Sequence, residues 1–533
     1  MQLPTKSWQQ YEAGVEYKRR IGLFELVRRN ERFYRGDQWY GLKNNDLPKP
    51  VFNVVRRITD FLISCVATGN IGITYSCDDL VYSDNAHISA AVNNGVSVMN
   101  KNARYRWEKS HMDQKIYHLL LDAAISGDGV VFCSWNNAKD GGGHYRGDIS
   151  VECVDNINLF VSDVNVADIQ SQEYIIISGR DTISNLRREA IENGVAPEQA
   201  LKITSDSIGK GIGSDSVCEL ECDGGKATFI IKFYRENGHV VFEKSCRECI
   251  IHTCVTDCRM YPVAYFNWYK TKNCFHGTSP ISDIIPNQKY INRAYAMMMK
   301  HMSDTAFSKV IYDSSRIPEW TNGVGEAIAA VGGGNMADAV SVVGVGKMEN
   351  GYLDLINNAL STTKELMGAT ESALGDAAPT NTSAILALQE SSKAPLQQIK
   401  ANLYQFIEDL ANIWADMMCA YYVPTRPVPF FDINLGRPTL ENVDFSIMRE
   451  FAIKARIDIG ESDRFSISSI QSLLDRLLDG GHISVIQYLE RLPSGIISDR
   501  TKLIDELKNA HQDADPNTSD TQISNTKGSK ESE

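Results

Sequence analysis

The segment from Ser383 to Tyr421 reads SAILALQESSKAPLQQIKANLYQFIEDLANIWADMMCAY and carries the longest helical pattern in the chain. Its stripe residues are three or four positions apart, which predicts a single amphipathic helix. The stripe consists of Ile385, Leu388, Ser392, Leu396, Ile399, Leu403, Phe406, Leu410, Ile413 and Met417. At about 1.5 Å per residue this helix would be about 60 Å long. Pro395 removes the backbone hydrogen bond to the carbonyl of Ser391, so we expect one long, kinked helix.

Two shorter stripes precede this segment and predict two more helices. They consist of Ile284, Gln288, Ile291, Tyr295, Met298 and Met302, and of Leu353, Ile356, Leu360, Thr363 and Met367. Ser279 is placed to cap the first of them. A Gly-rich, weakly patterned insert, 308–345, separates the two helices. The small and polar residues 369–382, which precede the long helix, predict a loop.

Residues 129–268 change to the pattern of strands. Short β-rich runs occur at Val130–Cys133, Ile149–Val154, Tyr174–Ile177, Phe229–Tyr234 and His239–Phe242. Asn237-Gly238 supplies the positive φ angles of a tight hairpin. One helix is expected at 181–193, an extended segment after Pro424, and short helices at 468–478, 484–492 and 499–508; residues 511–533 read as a disordered tail. The fold class is therefore α+β, mainly helical.

The composition excludes several classes of protein. The chain has 533 residues, 43% of them hydrophobic, with 67 acidic and 54 basic side chains and a formal net charge of −13. At about 150 residues per domain we expect three or four packed units. The acidic balance argues against a surface that grips phosphates throughout. No run of 18 apolar residues and no signal-peptide core occur, so we expect a soluble protein made in the cytoplasm and no membrane association.

The first 60 residues have the opposite charge. They hold 12 basic and seven acidic side chains, a local net charge of +5. Leu23, Leu26, Val27 and Tyr34 recur at helical spacing and leave the arginines on the outer face. A solvated helix surface explains this pattern, and so does a contact with nucleic acid or with an acidic neighbour.

The motifs of common enzymes are missing from the sequence. The runs Gly224-Gly225-Lys226-Ala227 and Gly344-Val345-Gly346-Lys347-Met348 lack the spacing and the hydroxyl residue of a nucleotide-binding phosphate loop. Serine-hydrolase and zinc-protease motifs are absent as well. We therefore expect no catalytic residue, no metal and no cofactor.

Six cysteines between positions 218 and 258 allow two interpretations. They are Cys218, Cys222, Cys246, Cys249, Cys254 and Cys258. A zinc site usually joins two close pairs through a longer loop, whereas only four residues separate Cys249 from Cys254. Buried or free thiols are favoured over structural zinc.

A resemblance to a known family rests on a run near the N-terminus and on the order of elements. Phe33-Tyr34-Arg35-Gly36-Asp37-Gln38-Trp39, followed by Pro50-Val51-Phe52-Asn53, resembles the N-terminal signature of tailed-bacteriophage portal proteins. Gly127-Asp128-Gly129 before a strand, and Asn381-Thr382-Ser383-Ala384 at the long helix, follow the same plan. The resemblance covers roughly residues 10–510.

This resemblance implies a division of the chain into portal regions. The N-terminal wing would be 1–278, the two stem helices 279–307 and 351–371, and the clip 308–350. The tunnel loop would be 372–383, the long wing helix with its extended segment 384–460, the helical crown 461–510, and the disordered tail 511–533. Apolar stripes on successive helices would then be covered by neighbouring copies around an aqueous channel.

The resemblance also implies a role and partners. The protein would form a ring, usually of twelve copies, at the unique capsid vertex of a virion, through which double-stranded DNA is packaged and ejected. Its partners would be the terminase large subunit, the major capsid and scaffolding proteins, and tail or head-tail adaptor proteins; assembly would take place in the host cytoplasm. The candidate channel residues are Glu371, Ser372, Leu374, Asp376, Thr380, Asn381 and Thr382, and the candidate terminase-facing residues are Arg316, Glu319, Trp320 and Asp338.

Two other functions stay open at this point. A head-tail adaptor or another capsid component is also a structural ring, although this chain is long for one. A DNA-packaging or DNA-processing enzyme would need the phosphate loop or a metal-binding carboxylate cluster, and the sequence shows neither.

Overall fold

Helices occur at both ends of the chain and enclose a strand-rich middle section, as the sequence predicts. In this computed structural model the described residues are 4–42, 47–67, 71–77, 86–141, 145–206, 225–305, 310–320, 328–335, 338–342, 351–369, 396–432, 437–458, 464–492, 503, 504 and 507. They belong to two compact units, Met1–Asp458 and Ile459–Glu533. No helix among the described residues is both long enough and apolar enough to cross a bilayer.

The helices are α1 (Lys6–Arg20), α2 (Leu23–Arg35), α3 (Val54–Val66), α4 (Ala86–Lys109), α5 (Met112–Ser126), α6 (Ile183–Glu192), α7 (Pro197–Ala200), α8 (Pro280–Thr305), α9 (Gly351–Leu366), α10 (Gln397–Tyr421), α11 (Phe445–Met448), α12 (Arg464–Asp479) and α13 (Val485–Arg491). The strands are β1 (Gly72–Cys77), β2 (Asp128–Asp140), β3 (Arg146–Val154), β4 (Leu159–Val161), β5 (Tyr174–Thr182), β6 (Lys226–Glu236), β7 (His239–Ser245), β8 (Ile250–Val255), β9 (Val263–Asn267), β10 (Val310–Tyr312), β11 (Val340–Val342), β12 (Thr425–Asp432), β13 (Arg437–Asp444) and β14 (Ile453–Asp458). The α+β class is confirmed.

The strands form antiparallel sheets. The largest has the order β4-β5-β6-β7-β8, and a second has the order β3-β2-β9. The predicted hairpin is confirmed: Asn237 and Gly238 have φ angles of 51° and 83° and join β6 to β7. The helix expected at 181–193 begins two residues later, because Asp181 and Thr182 still pair with β6 and the Thr182 hydroxyl caps α6.

The long predicted helix is described from Gln397 onward, as α10. All six stripe positions from Ile399 to Met417 are buried, and so are Asn402 and Trp414 on other faces. This helix packs against β9 and β14 of its own chain. The expectation that neighbouring copies cover the stripe is wrong for α10, since helical spacing shows that a face is covered but not what covers it. The stripe positions before Leu396 and the bend at Pro395 lie outside the described residues.

The buried carboxylate of Asp128 joins several segments of the large unit. Its two oxygens accept hydrogen bonds from the side-chain amides of Asn156 and Asn267, at 2.9 and 2.8 Å, and from the backbone N–H of Gly277, at 2.7 Å. The Nδ1 atom of His276 lies 3.1 Å from the same carboxylate. Gly127, just before it, has a φ of 98°, and a Cβ atom there would lie 2.7 Å from the carbonyl of Gly277. The Gly127-Asp128-Gly129 run therefore fixes the start of β2.

A second buried polar cluster connects α4, β3 and the end of α10. Arg106 lies 3.2 Å from Asp148, and the Tyr422 hydroxyl donates to Asp148 at 2.8 Å. Burial alone would raise the pKa of Asp148, but Arg106, the Tyr422 hydroxyl and Lys109 hold that pKa at about 2. The carboxylate is thus ionised at neutral pH.

The second unit contains two of the predicted short helices. Ser484 and Gln487 form a capping box at the start of α13, in which each side chain binds the backbone N–H of the other residue. The Tyr488 hydroxyl donates to Asp475 of α12 at 2.7 Å. The third predicted helix, 499–508, lies mostly outside the described residues.

Candidate functional site

The signature near the N-terminus forms the joint between α2 and α3. Gly36 has a φ of 97° and ends α2, a conformation that favours glycine. The Asn53 amide donates to the carbonyl of Tyr34 at 2.8 Å, and its side-chain oxygen caps α3 by accepting the N–H of Arg56 at 3.0 Å. The Trp39 indole donates to the carbonyl of Pro50 at 2.9 Å. The geometry of this joint thus depends on side chains of the motif itself.

A chain of buried amides attaches this joint to α8. Asn292 donates to Gln38 at 2.6 Å, and Gln288 donates to Asn292 at 2.8 Å. The Gln288 oxygen accepts the N–H groups of Val54 and Val55, at 3.0 and 3.2 Å. Because buried polar groups are costly unless they are paired, these bonds favour one orientation of α8 on the N-terminal helices.

Replacing Gln288 with leucine is expected to lower the free energy of unfolding by about 3 kcal/mol, because the buried N–H of Val55 loses its acceptor and the amide oxygen of Asn292 loses its donor, whereas the N–H of Val54 keeps the carbonyl of Phe52. Urea denaturation at neutral pH measures this loss. Gln397→Leu, at an exposed glutamine of α10, is the matched control and should change stability by less than about 0.5 kcal/mol. Equal effects of the two substitutions would contradict the role of Gln288.

The helix α8 is covered over only part of its length. Its buried residues run from Pro280 to Ala296 and include the predicted Ile284, Gln288 and Ile291. Ser279 accepts the N–H of Ile281 at 3.2 Å, as its predicted capping role requires. Met302, the last stripe residue, is 59% exposed. A separate exposed face carries Pro286, Tyr290, Arg293 and Met297 at steps of four, three and four.

The helix α9 also has a covered and an uncovered face. Ile356 and Thr363 are buried, as predicted, but Leu353 is 45% exposed. Beside the predicted stripe lies a second one that spacing alone did not reveal, made of Tyr352, Leu355, Thr362 and Leu366, all exposed. The sequence did contain a signal for this second stripe, namely apolar residues on two faces of one helix. Such a helix has to bury both faces against other surfaces. The described part of the chain leaves this second stripe open to solvent.

A groove lies between α2, the described residues 37–42 and 47–49, and the exposed face of α8; we call it the basic groove. Its volume is ≈ 880 Å³. Six cationic side chains line it, against the two acids Glu25 and Asp37: Arg28, Arg29, Arg32, Lys49, Lys289 and Arg293. Aromatic rings contribute as well, and the Arg32 guanidinium lies 3.2 Å from the ring centre of Tyr40. Three arginines of the basic N-terminal segment thus line one concave surface, whereas Arg19, Arg35 and Arg56 form ion pairs within their own helices.

The candidate terminase-facing residues lie between α8 and α9, around the antiparallel pair β10–β11. Trp320 stacks on Tyr312 at 5.4 Å between ring centres, and Arg316 donates to the carbonyl of Asn335 at 3.4 Å. Glu319 and Asp338 are exposed. Their role stays a prediction. The channel candidates Glu371, Ser372, Leu374, Asp376, Thr380, Asn381 and Thr382 lie outside the described residues.

Among the described cysteines of this region, Cys246 and Cys249 lie together, whereas Cys254 and Cys258 lie elsewhere. Cys246 and Cys249 are buried in a small cluster near α6, Cys258 belongs to the main core, and Cys254 is exposed. Burial raises the pKa of Cys246 and of Cys258 to about 12, so both are protonated thiols at neutral pH. Within the described ranges no three donor side chains are placed to hold a metal ion. Cys218 and Cys222 lie outside those ranges.

Comparison with known proteins finds a match to one family model in the middle of the chain. Residues 245–428 match the family model described as Phage P22-like portal protein. No curated protein sequence matches the chain. A solved structure, the virion of native gene transfer agent (GTA) particle, aligns at 11% sequence identity over 86% of this chain and 91% of that chain, with a TM-score of 0.35. The match at 245–428, which contains α8, α9 and α10, confirms the resemblance of this chain to phage portal proteins.

Proposed function

We propose that this protein is the subunit of a portal ring in a tailed-phage virion, and that double-stranded DNA passes through the channel of the ring. The observation that carries this proposal is the uncovered apolar surface on α8 and α9, within the segment that matches the portal family. Met297, Tyr352 and Leu355 are 53%, 59% and 50% exposed. A chain that buries its core elsewhere keeps such a surface exposed only at a cost, unless a partner covers it.

Charge and symmetry favour a second copy as that partner. The exposed face of α8 is basic, with Lys289 and Arg293, whereas α9 exposes Asp354 and Glu365 beside its apolar stripe. Two different faces that complement each other make a head-to-tail contact, and such contacts close into rings when the rotation between copies allows it. The helices α8 and α9 pack on each other within one copy, so their outer faces are the ones left for neighbours.

The charge of the chain suits a channel that passes DNA without holding it. Twelve copies at −13 each carry −156 formal charges. The sequence from 365 to 392 has Glu365, Glu371, Asp376 and Glu390 but no lysine or arginine. Tight binding of duplex DNA requires many cationic contacts that release counterions, and this segment offers none. In this proposal the region 308–350 docks the terminase and later the tail or its adaptors, and Trp320 belongs to that surface.

The assembly state tests the proposal directly. Native mass spectrometry and negative-stain images of the purified chain should show closed rings with a central hole. A strict monomer at high concentration contradicts the portal role. Magnesium-dependent ATP or DNA hydrolysis by the isolated chain would instead support an enzyme.

Deleting residues 373–381 tests the channel separately. Rings should form as in the wild type, while DNA packaging or retention falls. A deletion of equal length in the tail, at 520–528, is the matched control. Particles filled normally with DNA after the 373–381 deletion would remove the role of this loop.

A further inference from the structure

We propose that the C-terminal end of α9, with Glu365 and Leu366, docks into the basic groove of the next copy in the ring. This inference rests on the proposed ring and names the contact that would close it. It also assigns a role to the arginines of α2, which the ring proposal leaves unused. The occupant of the groove is a second copy of this chain.

The end of α9 is an exposed ligand for such a groove. Leu366 is 71% exposed, the highest value among the large apolar side chains of the described residues. Glu365, next to it, is exposed and accepts a hydrogen bond from the hydroxyl of Ser361 at 3.3 Å. An apolar side chain beside a carboxylate is complementary to a surface that carries both aromatic and cationic side chains.

The groove provides both of these chemistries. Tyr40 and Tyr290 are 65% and 45% exposed at its edges, and Leu42 is 55% exposed. Lys289 and Arg293 lie one helical turn apart on α8, so a single carboxylate can reach both. Arginine and tyrosine are among the residue types that contribute most to the binding energy of protein interfaces, whereas phosphate binding would not use the apolar edge of the groove.

Charge complementarity points to this chain as the source of the acidic partner. Since the whole chain carries −13 and its first 60 residues carry +5, the remainder carries −18. A groove built mainly from the basic segment is therefore complementary in net charge to the rest of a second copy. Screening in salt should weaken this contact.

The two surfaces also lie at the same level along α8. Lys364 and Ala369, at the end of α9, line a small cavity together with Val54. The N–H of Val54 donates to Gln288, which directly precedes Lys289 and lies five residues before Arg293 on α8. Rotation about a ring axis leaves the position of each residue along that axis unchanged in every copy. If α8 runs along the axis, the end of α9 in one copy therefore lies level with the basic groove of the next copy.

Reversal of charge tests the contact. Glu365→Lys and Arg293→Glu should each raise, by about tenfold, the protein concentration at which half of the chains are in rings, and the double variant should restore it toward the wild-type value. Both side chains are exposed, so the thermal unfolding of the single variants should match the wild type. Glu192→Lys, at an exposed carboxylate of α6, is the matched control and should leave ring formation unchanged.

A covalent test uses Leu366→Cys combined with Tyr290→Cys. Under mild oxidation this double variant should give a ladder of disulfide-linked oligomers, while the wild type and each single variant treated in the same way should not. Rings that assemble normally in Glu365→Lys and Arg293→Glu, with no ladder, overturn the docking while the ring proposal stands. A monomeric wild type overturns both. Loss of binding to a DNA duplex in Arg293→Glu, with rings unchanged, would assign the groove to nucleic acid instead.

Discussion

Replacing Asp128 with alanine is expected to prevent stable folding of the large unit. Three donors and the imidazole of His276 face this carboxylate inside the protein, and alanine removes the acceptor that they share. The Asn267 amide keeps its bond to the carbonyl of Phe275, at 2.9 Å, but Asn156 and Gly277 lose the bonds that they donate to Asp128. At roughly 1–3 kcal/mol for each buried unsatisfied group, the total loss is on the order of 5 kcal/mol or more. That is comparable to the whole stability of an ordinary domain.

Soluble yield, limited proteolysis and thermal unfolding measure this effect. Asp128→Asn keeps the shape of the side chain and one acceptor oxygen, so its loss should be intermediate. Asp163→Ala removes an exposed carboxylate that bonds only to Asn165, and it should cost about 1 kcal/mol or less. An Asp128→Ala protein with unchanged unfolding temperature would show that the carboxylate is not the centre of this core.

Replacing Arg106 with methionine is expected to cost about 3–5 kcal/mol, because Asp148 then keeps a buried charge without its main partner. The two side chains are 6% and 10% exposed, so water compensates little for the loss. Lys109→Met is the control on the same carboxylate. Lys109 is 39% exposed, and its removal should cost no more than about 1 kcal/mol.

The pH dependence of the Arg106→Met deficit gives a second readout. In the wild type the pKa of Asp148 is held at about 2, below its ordinary value of 3.8. Its contribution to stability is therefore complete above pH 3.8 and lost as the pH falls toward 2. In the variant, which lacks Arg106, burial raises the pKa of Asp148. The loss of stability relative to the wild type should therefore shrink as the pH falls from 5 to 2.5. A deficit independent of pH would attribute the effect of Arg106→Met to packing alone.

Local patterns in the sequence predicted α6, α8, α9, α10 and the hairpin, because the spacing of apolar residues encodes which face of an element is covered; α4 and α5 were not predicted. Local patterns also did not predict the pairing of β1 with β14, which joins residues 72–77 to 453–458. Contacts between such distant segments leave no periodic trace. For the same reason the cover of the long α10 stripe was wrongly assigned to other copies, although its buried positions were predicted correctly.

The candidate site was predictable to a similar degree. The portal-like signature contains Gln38 and Asn53, and Gln288 was predicted to lie on the covered stripe of its helix. Their connection through Asn292 required the structure, since no spacing rule links α2 to α8. Of the basic groove, the sequence predicted only that arginines lie on the outer face of an N-terminal helix, either in solvent or in contact with nucleic acid or an acidic neighbour. The shape of the groove comes from α8, which joins it from about 250 residues further along the chain.

The amide chain at the base of α8 has a mechanical consequence. Directional hydrogen bonds through Gln288 and Asn292 resist twisting, so this helix moves together with α2 and α3 as a stiff arm. From Gln288 to Thr305 the arm measures about 25 Å, and a tilt of about 5° at its pivot would displace the tip by about 2 Å. A small rotation of the N-terminal helices therefore produces a larger displacement at the C-terminal end of α8. In the same way, a force applied at that end is transmitted to the contact of Gln288 and Asn292 with the N-terminal helices.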